Sequence, residues 1–379
     1  MSYLSTIVVN TVNDFPDSIK QLNILFEKNL FKDSLELIEL NLKQNPELNN
    51  NPDFLNIYGL IQLNLKDWEQ AIKNFEKATE IDINFRPAYF NLGLSYYDLG
   101  KLNNAYEAFC KVLEIEKNNK RAQENIIKIL HCIKIKNNNG DNLVDANNEL
   151  QKLKFDFDLS KKITNKKILG ILDISKSITS RYISDFTFRE HQLFFHNQQD
   201  LNCERHFRIF RQQNTISNKC FSCYKIIIKL FDVNDLIRLS FIFNNFYFLD
   251  NFEMKCRVDF ENKIYRGYIY CSSIADLDLV TNKIKSLLLI NFENNYELET
   301  RRGCSEYLKS FPEFKNINND PKKMFQYPEN WTKNEELVDS QTYKNGLPII
   351  RNAQKPLKGM TLNYFLIMNN WIIISKEMK

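Results

Sequence analysis

Glycine is scarce in this sequence, and its few glycines are scattered. Only nine occur in 379 residues, and no two of them stand in a Gly-x-Gly pair. A P-loop and a dinucleotide-binding turn both need clustered glycines, because backbone N–H groups must approach phosphates closely there. We therefore expect no nucleotide-driven motor, kinase or Rossmann dehydrogenase.

The sequence also lacks an excess of one charge sign and a long apolar segment. Its 51 basic and 47 acidic residues leave a formal net charge of +4, which favours neither nucleic acid nor an anionic membrane as a partner. The N-terminal sequence has no basic start followed by a long apolar core, so no signal peptide is expected. The apolar stretch at 364–374 is shorter than the roughly 20 residues that span a bilayer. We expect a cytoplasmic protein without a membrane crossing.

A repeat of 34 residues is present in the first third of the chain. Residues 52–85 align with residues 86–119 without a gap, and Gly59 recurs as Gly93. Each unit contains two stretches with apolar residues at helical spacing, separated by a turn-prone pair. The glycine is expected where the two helices of a pair cross, because a larger side chain there would push them apart.

This pattern resembles the tetratricopeptide repeat (TPR) family, whose 34-residue units carry glycine, alanine and aromatic residues at fixed positions. A degenerate first unit at about 15–48 and a capping helix that begins at Lys120 complete a predicted repeat domain at 15–136. Three units and a cap are enough for stacked repeats to bury a continuous core.

In this family the first helix of each pair lines a concave groove that holds a peptide or a partner's helix. The resemblance implies that the partner-binding residues here are Asn56, Leu60, Leu63, Asn64, Phe90, Asn91, Leu94 and Tyr97. An asparagine amide there can hydrogen-bond an extended peptide backbone. The alternative is a stack that only separates domains or packs on the C-terminal half of its own chain.

The remainder of the chain predicts an α+β fold. An Asn-rich linker at 137–148 and a helical, aromatic connecting region at 149–219 lead to a β-α-β-β-α-β pattern at 220–304. This order is typical of the ferredoxin-like split βαβ arrangement. A Pro-rich arm and a C-terminal helix follow at 305–379. The predicted fold class is thus multidomain, with all-α TPR-like helical repeats followed by an α+β domain with a ferredoxin-like core.

Two pairs of residues of the types that bind metals lie near the start of this domain, one before it and one at its beginning. Cys203 and His206 form a C-x2-H pair, Cys220 and Cys223 form a C-x2-C pair, and 13 residues lie between the pairs. Two such pairs can hold a tetrahedral Zn2+, and four protein ligands would make the site closed and structural. An iron–sulfur cluster on these residues is a further option. The alternative is an apolar core position, since cysteine is commonly buried.

Tyr268 and Tyr270 follow Arg266-Gly267 in a pattern that partly fits the third strand of RNA-binding domains of this topology. Alternation would place both rings on the face of the sheet without helices, where bases could stack. Glu297 and Glu299 from the last strand would lie on the same face and would repel phosphate. Nucleic acid is therefore not the expected partner.

Cys304 is the candidate nucleophile in this chain. It follows Arg301-Arg302-Gly303, and neighbouring guanidinium groups would stabilise a thiolate. The leading hypothesis is nevertheless a non-enzymatic adaptor or scaffold that binds a protein or peptide in the TPR-like groove. The alternatives are an enzyme that acts on a client delivered by the repeats, through a metal or Cys304, and an RNA-binding protein that uses the two tyrosines.

Overall fold

The computed structural model describes residues 17–28, 30–135, 140–153, 157–183, 188, 190–195, 203–342 and 355–378. The chain forms two compact units. The first, the repeat unit, consists of Met1–Ile129 together with Lys333–Arg351. The second, the sheet unit, consists of Leu130–Thr332 and Asn352–Lys379. Each unit therefore combines stretches that are far apart in sequence.

The repeat unit is built from paired helices. The pairs pack in order along the chain, with α3 against α4, α4 against α5, and α5 against α6. Part of a much later helix, α13, belongs to the same unit from Lys333 onwards. The helices are α1 (Asp17–Glu27), α2 (Phe31–Gln44), α3 (Pro52–Asn64), α4 (Trp68–Ile81), α5 (Arg86–Asp98), α6 (Leu102–Ile115), α7 (Lys120–Leu130) and α13 (Trp331–Thr342).

The repeated glycines allow a ring of the partner helix to pack directly against α3 and α5. A Cβ atom added to Gly59 would lie 2.5 Å from the Phe75 ring, and one added to Gly93 would lie 2.7 Å from the Phe109 ring. Both rings are fully buried. The expectation that small residues mark the crossing of each helix pair is confirmed.

The sheet unit contains one five-stranded sheet. Its strand order is β1-β3-β4-β2-β5, and every adjacent pair is antiparallel. From β2 to β5 the elements follow the predicted order β-α-β-β-α-β. The elements are α8 (Asn142–Gln151), α9 (Asn165–Tyr182), β1 (Gln192–Phe195), α10 (Cys203–Gln213), β2 (Tyr224–Leu230), α11 (Val233–Asn245), β3 (Glu253–Asp259), β4 (Ile264–Cys271), α12 (Ile274–Phe292), β5 (Glu297–Arg302) and α14 (Leu362–Glu377).

Helices cover one face of the sheet. Ile226, Ile269 and Met254 form one buried cross-strand row on this face. Helix α11 packs against β2, β3 and β4, and α12 packs against β2 and β4. Gly267 lies there too, where an added Cβ would meet the Leu239 side chain at 2.3 Å. The C-terminal helix α14 packs against α8, α9 and α11, so it completes the core of this unit.

Helix α8 begins inside the stretch predicted as the Asn-rich linker 137–148. Asp141 starts the helix, since its side chain accepts a hydrogen bond from the backbone N–H of Leu143. Leu143, Val144 and Leu150 are buried along one side. The asparagines around these residues obscured a short amphipathic pattern.

Within the described ranges, no helix is long and apolar enough to cross a membrane.

Candidate functional site

The predicted groove residues are mostly buried. Six of them, Asn56, Leu60, Leu63, Asn64, Phe90 and Asn91, are between 3% and 9% exposed. Leu94 and Tyr97, one and two turns further along α5 than Phe90, are half-buried. The concave side of the repeats is thus largely closed next to α3 and more open towards the end of α5.

Two asparagines connect the successive repeats. Asn91 Nδ2 donates a hydrogen bond to Asn56 Oδ1 at 2.8 Å, and both side chains are buried. Asn64 Nδ2 donates to the Leu60 carbonyl of its own helix, also at 2.8 Å. The structure brings Asn56 and Asn91 together, but it uses their amides within the repeat stack rather than leaving both free for a peptide.

Helix α7 adds a cation beside the groove that the sequence analysis missed. The guanidinium of Arg121 lies 4.6 Å from the centroid of the Phe90 ring, which in turn meets the Phe109 ring edge-to-face at 5.4 Å. A cation over an aromatic face is an attractive contact. Arg121 is the second residue of the capping helix, and the equivalent positions of α5 and α3, Pro87 and Asp53, gave no sequence signal for a cation there.

The segment of α13 that belongs to the repeat unit is anchored on it. Lys32 Nζ donates a hydrogen bond to the backbone carbonyl of Ser340. Val338 is 1% exposed and Glu335 is buried, whereas Leu337 is 46% exposed. The helix therefore has a buried side and an exposed side.

The four predicted metal ligands converge only in part. Cys220 Sγ lies 3.3 Å from His206 Nδ1 and 3.3 Å from the Tyr307 hydroxyl. Cys203 begins α10, and Cys223 precedes β2, where its carbonyl accepts a hydrogen bond from Gly303 N. Across the part of the chain that the structure describes, no three His, Cys, Asp or Glu side chains are placed to hold a metal ion. Structural zinc on these residues stays a prediction from the sequence.

Burial keeps these thiols protonated near neutral pH. It raises the pKa of Cys203 to about 12 and that of Cys223 to about 11, with neighbouring thiols adding to the rise. The pKa of Cys220 rises in the same way. A thiol is a poor nucleophile and metal ligand until it loses its proton.

Cys304 is paired with a lysine rather than with the arginines that precede it. Lys225 Nζ donates to Cys304 Sγ at 2.9 Å, and both residues are buried. Arg302 instead donates to the Phe314 and Phe325 carbonyls. The antiparallel pairing of β2 with β5 brings the lysine to the thiol, a contact that sequence proximity does not reveal. A nucleophilic role of Cys304 stays a prediction.

The two tyrosines lie on the face of the sheet opposite α11 and α12, but neither ring is open to a base. Tyr268 and Tyr270 are 3% and 6% exposed, and their rings stack with centroids 6.4 Å apart. Lys255 Nζ lies 5.1 Å and 5.6 Å from the two centroids. Base stacking on this pair would require the surrounding side chains to move.

Comparison with known proteins identifies the repeats. Residues 59–100 match a family model described as a TPR repeat, and residues 87–119 match one described as a tetratricopeptide repeat. The small glutamine-rich tetratricopeptide repeat-containing protein 2 of Saccharomyces cerevisiae is 44% identical over 55 residues. That alignment covers 14% of this chain, and this chain spans only 16% of the length of the yeast protein.

Solved structures of TPR proteins are also similar to part of this chain. The first TPR domain of human RPAP3 is 22% identical, with 30% of this chain and 86% of that chain covered and a TM-score of 0.28. The TPR protein YrrB is 19% identical, with 42% and 66% covered and a TM-score of 0.28. Together with the paired helices and the family models, the 34-residue period leads to one conclusion: residues 59–119 of this chain are tetratricopeptide repeats.

Proposed function

We propose that this protein is an adaptor whose TPR repeats bind a helix or peptide of a protein partner in the concave groove. The observation that carries the proposal is the TPR match at 59–119 on helices that stack in pairs. Apolar residues of α3 and α5 supply the contact surface, and Arg121 supplies a positive charge at its edge. Stacked repeats use such extended concave surfaces for binding.

We further propose that α13 occupies this groove when no partner is bound. Two facts support the proposal: the groove residues of α3 are buried, and α13 belongs to the repeat unit from Lys333 onwards. An amphipathic helix that lays its apolar side into a hydrophobic groove is a recurring recognition mode. A partner of the same kind would then bind by displacing α13.

Two matched groove variants test partner binding in the full chain. Leu94→Glu places a charge in the half-buried part of the groove, and Ile115→Glu places the same charge on an exposed position of α6. A protein captured by the wild type should be lost with Leu94→Glu and retained with Ile115→Glu. Equal capture by both variants, with both folded by circular dichroism, would contradict groove binding.

Adjacent α13 variants test the intramolecular occupant. Val338→Asp charges the buried side of α13, whereas the control Leu337→Asp charges the exposed side. We expect faster backbone hydrogen exchange in α3 and stronger partner binding only with Val338→Asp, because a buried carboxylate disfavours docking. If α3 exchanges at the same rate in both variants, α13 does not cover the groove.

For the sheet unit we propose a ferredoxin-like core formed by β2 to β5 with α11 and α12, extended at one edge by β1. The element order and the fully antiparallel pairing support this assignment. Such a core has helices on one face only. The other face is therefore available for the charged and aromatic side chains of these strands.

A further inference from the structure

The face of the sheet opposite α11 and α12 carries an unusual concentration of charge. Because side chains alternate along each strand, the register assigns its residues to three cross-strand rows. The first row contains Glu253, Tyr270, Lys225 and Arg301; the second contains Lys255, Tyr268, Ile227 and Glu299; the third contains Arg257, Arg266, Lys229 and Glu297.

Three cations surround the stacked tyrosines. Lys225 Nζ lies 5.2 Å from the centroid of the Tyr270 ring, and the guanidinium of Arg257 lies 5.2 Å from that of Tyr268. Lys255 contacts both rings. The ammonium and guanidinium groups thus converge on one aromatic pair that is itself buried.

The carboxylates of this face are mostly engaged elsewhere. Glu297 and Glu299 lie 3.1 Å and 3.3 Å from Lys229 Nζ. Arg266 pairs with Asp259 at 2.9 Å. These pairs account for the cations of the third row, apart from Arg257.

Of the remaining cations, Lys225 donates one hydrogen bond to Cys304 Sγ, whereas Arg257 and Arg301 have little compensation among the described residues. The Nε atoms of Arg257 and Arg301 and the Oε2 atom of Glu253 are buried without a hydrogen-bond partner there. Burial raises the pKa of Glu253 to about 7, so this carboxyl is only partly ionised near neutral pH. Burial, with Arg257 and Lys225 adding to it, lowers the pKa of Lys255 to about 8. A buried charge is costly unless it is paired.

We propose that this face binds a phosphate-type oxyanion between Lys225, Lys255 and Arg257, next to Tyr268 and Tyr270. An oxyanion would compensate the like charges and would accept hydrogen bonds from both ammonium groups and from the guanidinium, whose planar fork suits phosphate. Lys255, Arg257 and Arg301 are partly exposed, so an anion can reach the site from solvent. Lys225 is buried and forms the inner wall of the site. The site lies wholly in the sheet unit and does not depend on the TPR groove.

Thermal unfolding and calorimetric titration of the full chain test the site with inorganic phosphate and pyrophosphate as probes, against sodium chloride at equal ionic strength. Both measurements should show binding, and the Tm should rise with probe concentration because a ligand of the native state stabilises it. Whether phosphate or pyrophosphate binds more tightly distinguishes a single from a linked phosphate group.

Lysine-to-methionine variants on one face of the sheet give a matched comparison. Lys255→Met should weaken phosphate binding by roughly tenfold or more, because it removes one of the two ammonium donors of the site. Arg257→Gln should also weaken binding. Lys229→Met removes a lysine that is already paired with glutamates, so it should leave phosphate binding unchanged.

Two results would overturn the proposal. One is a Tm in phosphate and in pyrophosphate that equals the Tm in sodium chloride, with no heat of binding. The other is an equal loss of binding in Lys229→Met and Lys255→Met, which would indicate general attraction of anions to a basic surface.

Discussion

Replacing Gly93 by alanine tests the helix crossing that defines each repeat. An added Cβ would lie 2.7 Å from two atoms of the Phe109 ring and 2.9 Å from a third. Carbon atoms in contact are normally about 3.5–4.0 Å apart. The ring or the helix must therefore shift by roughly 1 Å, and the ring is buried against Phe90.

Two opposing effects set the size of the change in stability. Alanine is better than glycine inside a helix by about 1 kcal/mol. Overpacking a filled core costs about 1–3 kcal/mol. We therefore expect Gly93→Ala to lower the free energy of unfolding by up to about 2 kcal/mol, in spite of its gain in helix propensity.

Gly170 provides a matched control in another helix. It lies inside α9, and a Cβ added there would meet nothing within 4 Å. Gly170→Ala should therefore stabilise the protein by about 0.5–1 kcal/mol. Urea unfolding monitored by circular dichroism measures both variants. Gly93→Ala should also cost less in a Phe109→Leu background, because the shorter side chain leaves room for the methyl group.

Two outcomes would contradict the role assigned to Gly93. If Gly93→Ala stabilises the protein as much as Gly170→Ala does, the glycine is not needed for the close approach of α5 and α6. The same conclusion would follow if Phe109→Leu left the cost of Gly93→Ala unchanged.

Three further perturbations probe individual polar groups. Burial lowers the pKa of His131 from 6.5 to about 4, so between these pH values the unfolded chain binds a proton that the folded chain does not. The free energy of unfolding should therefore fall by about 3 kcal/mol as the pH falls through this range. His131→Asn should flatten the dependence of Tm on pH. Asn91→Leu should cost about 1–3 kcal/mol in urea unfolding, because it leaves the Asn56 amide unpaired, and Asn56→Leu in the same chain should recover part of that loss. Ser273→Ala should cost about 1 kcal/mol, since the serine hydroxyl caps α12 at the Asp276 N–H; no loss would mean that the cap does not stabilise the helix.

The sequence predicted features that depend on local order. The 34-residue period located α3 to α6, and the glycines indicated their crossing correctly. The change from helical to alternating spacing after Cys223 located the strands β2 to β5 and the two helices between them. These features are encoded by spacing within each element and by the repeat of that spacing along neighbouring sequence, so periodicity and capping are sufficient to find them.

Features that depend on pairing between distant segments were missed. The membership of α13 in the repeat unit leaves no periodic signal near the repeats, because the two stretches are about 200 residues apart. The lysine beside Cys304 is likewise 79 residues away in sequence and meets the thiol only through the register of β2 and β5. The two arginines adjacent to Cys304 looked like its partners because only neighbours are visible in a sequence.

The charged face of the sheet shows how register creates a site from ordinary strands. In the sequence, Lys225, Lys255 and Arg257 stand at strand positions that alternate with apolar residues, as is usual for a solvent-exposed face of a sheet. Pairing β2 and β3 on either side of β4 instead places all three around two tyrosines from the central strand. A shift of the pairing by one residue would move each charge to the apolar face and the isoleucines to this one. The apolar face thus determines the register, and the register in turn concentrates positive charge where an anion can compensate it.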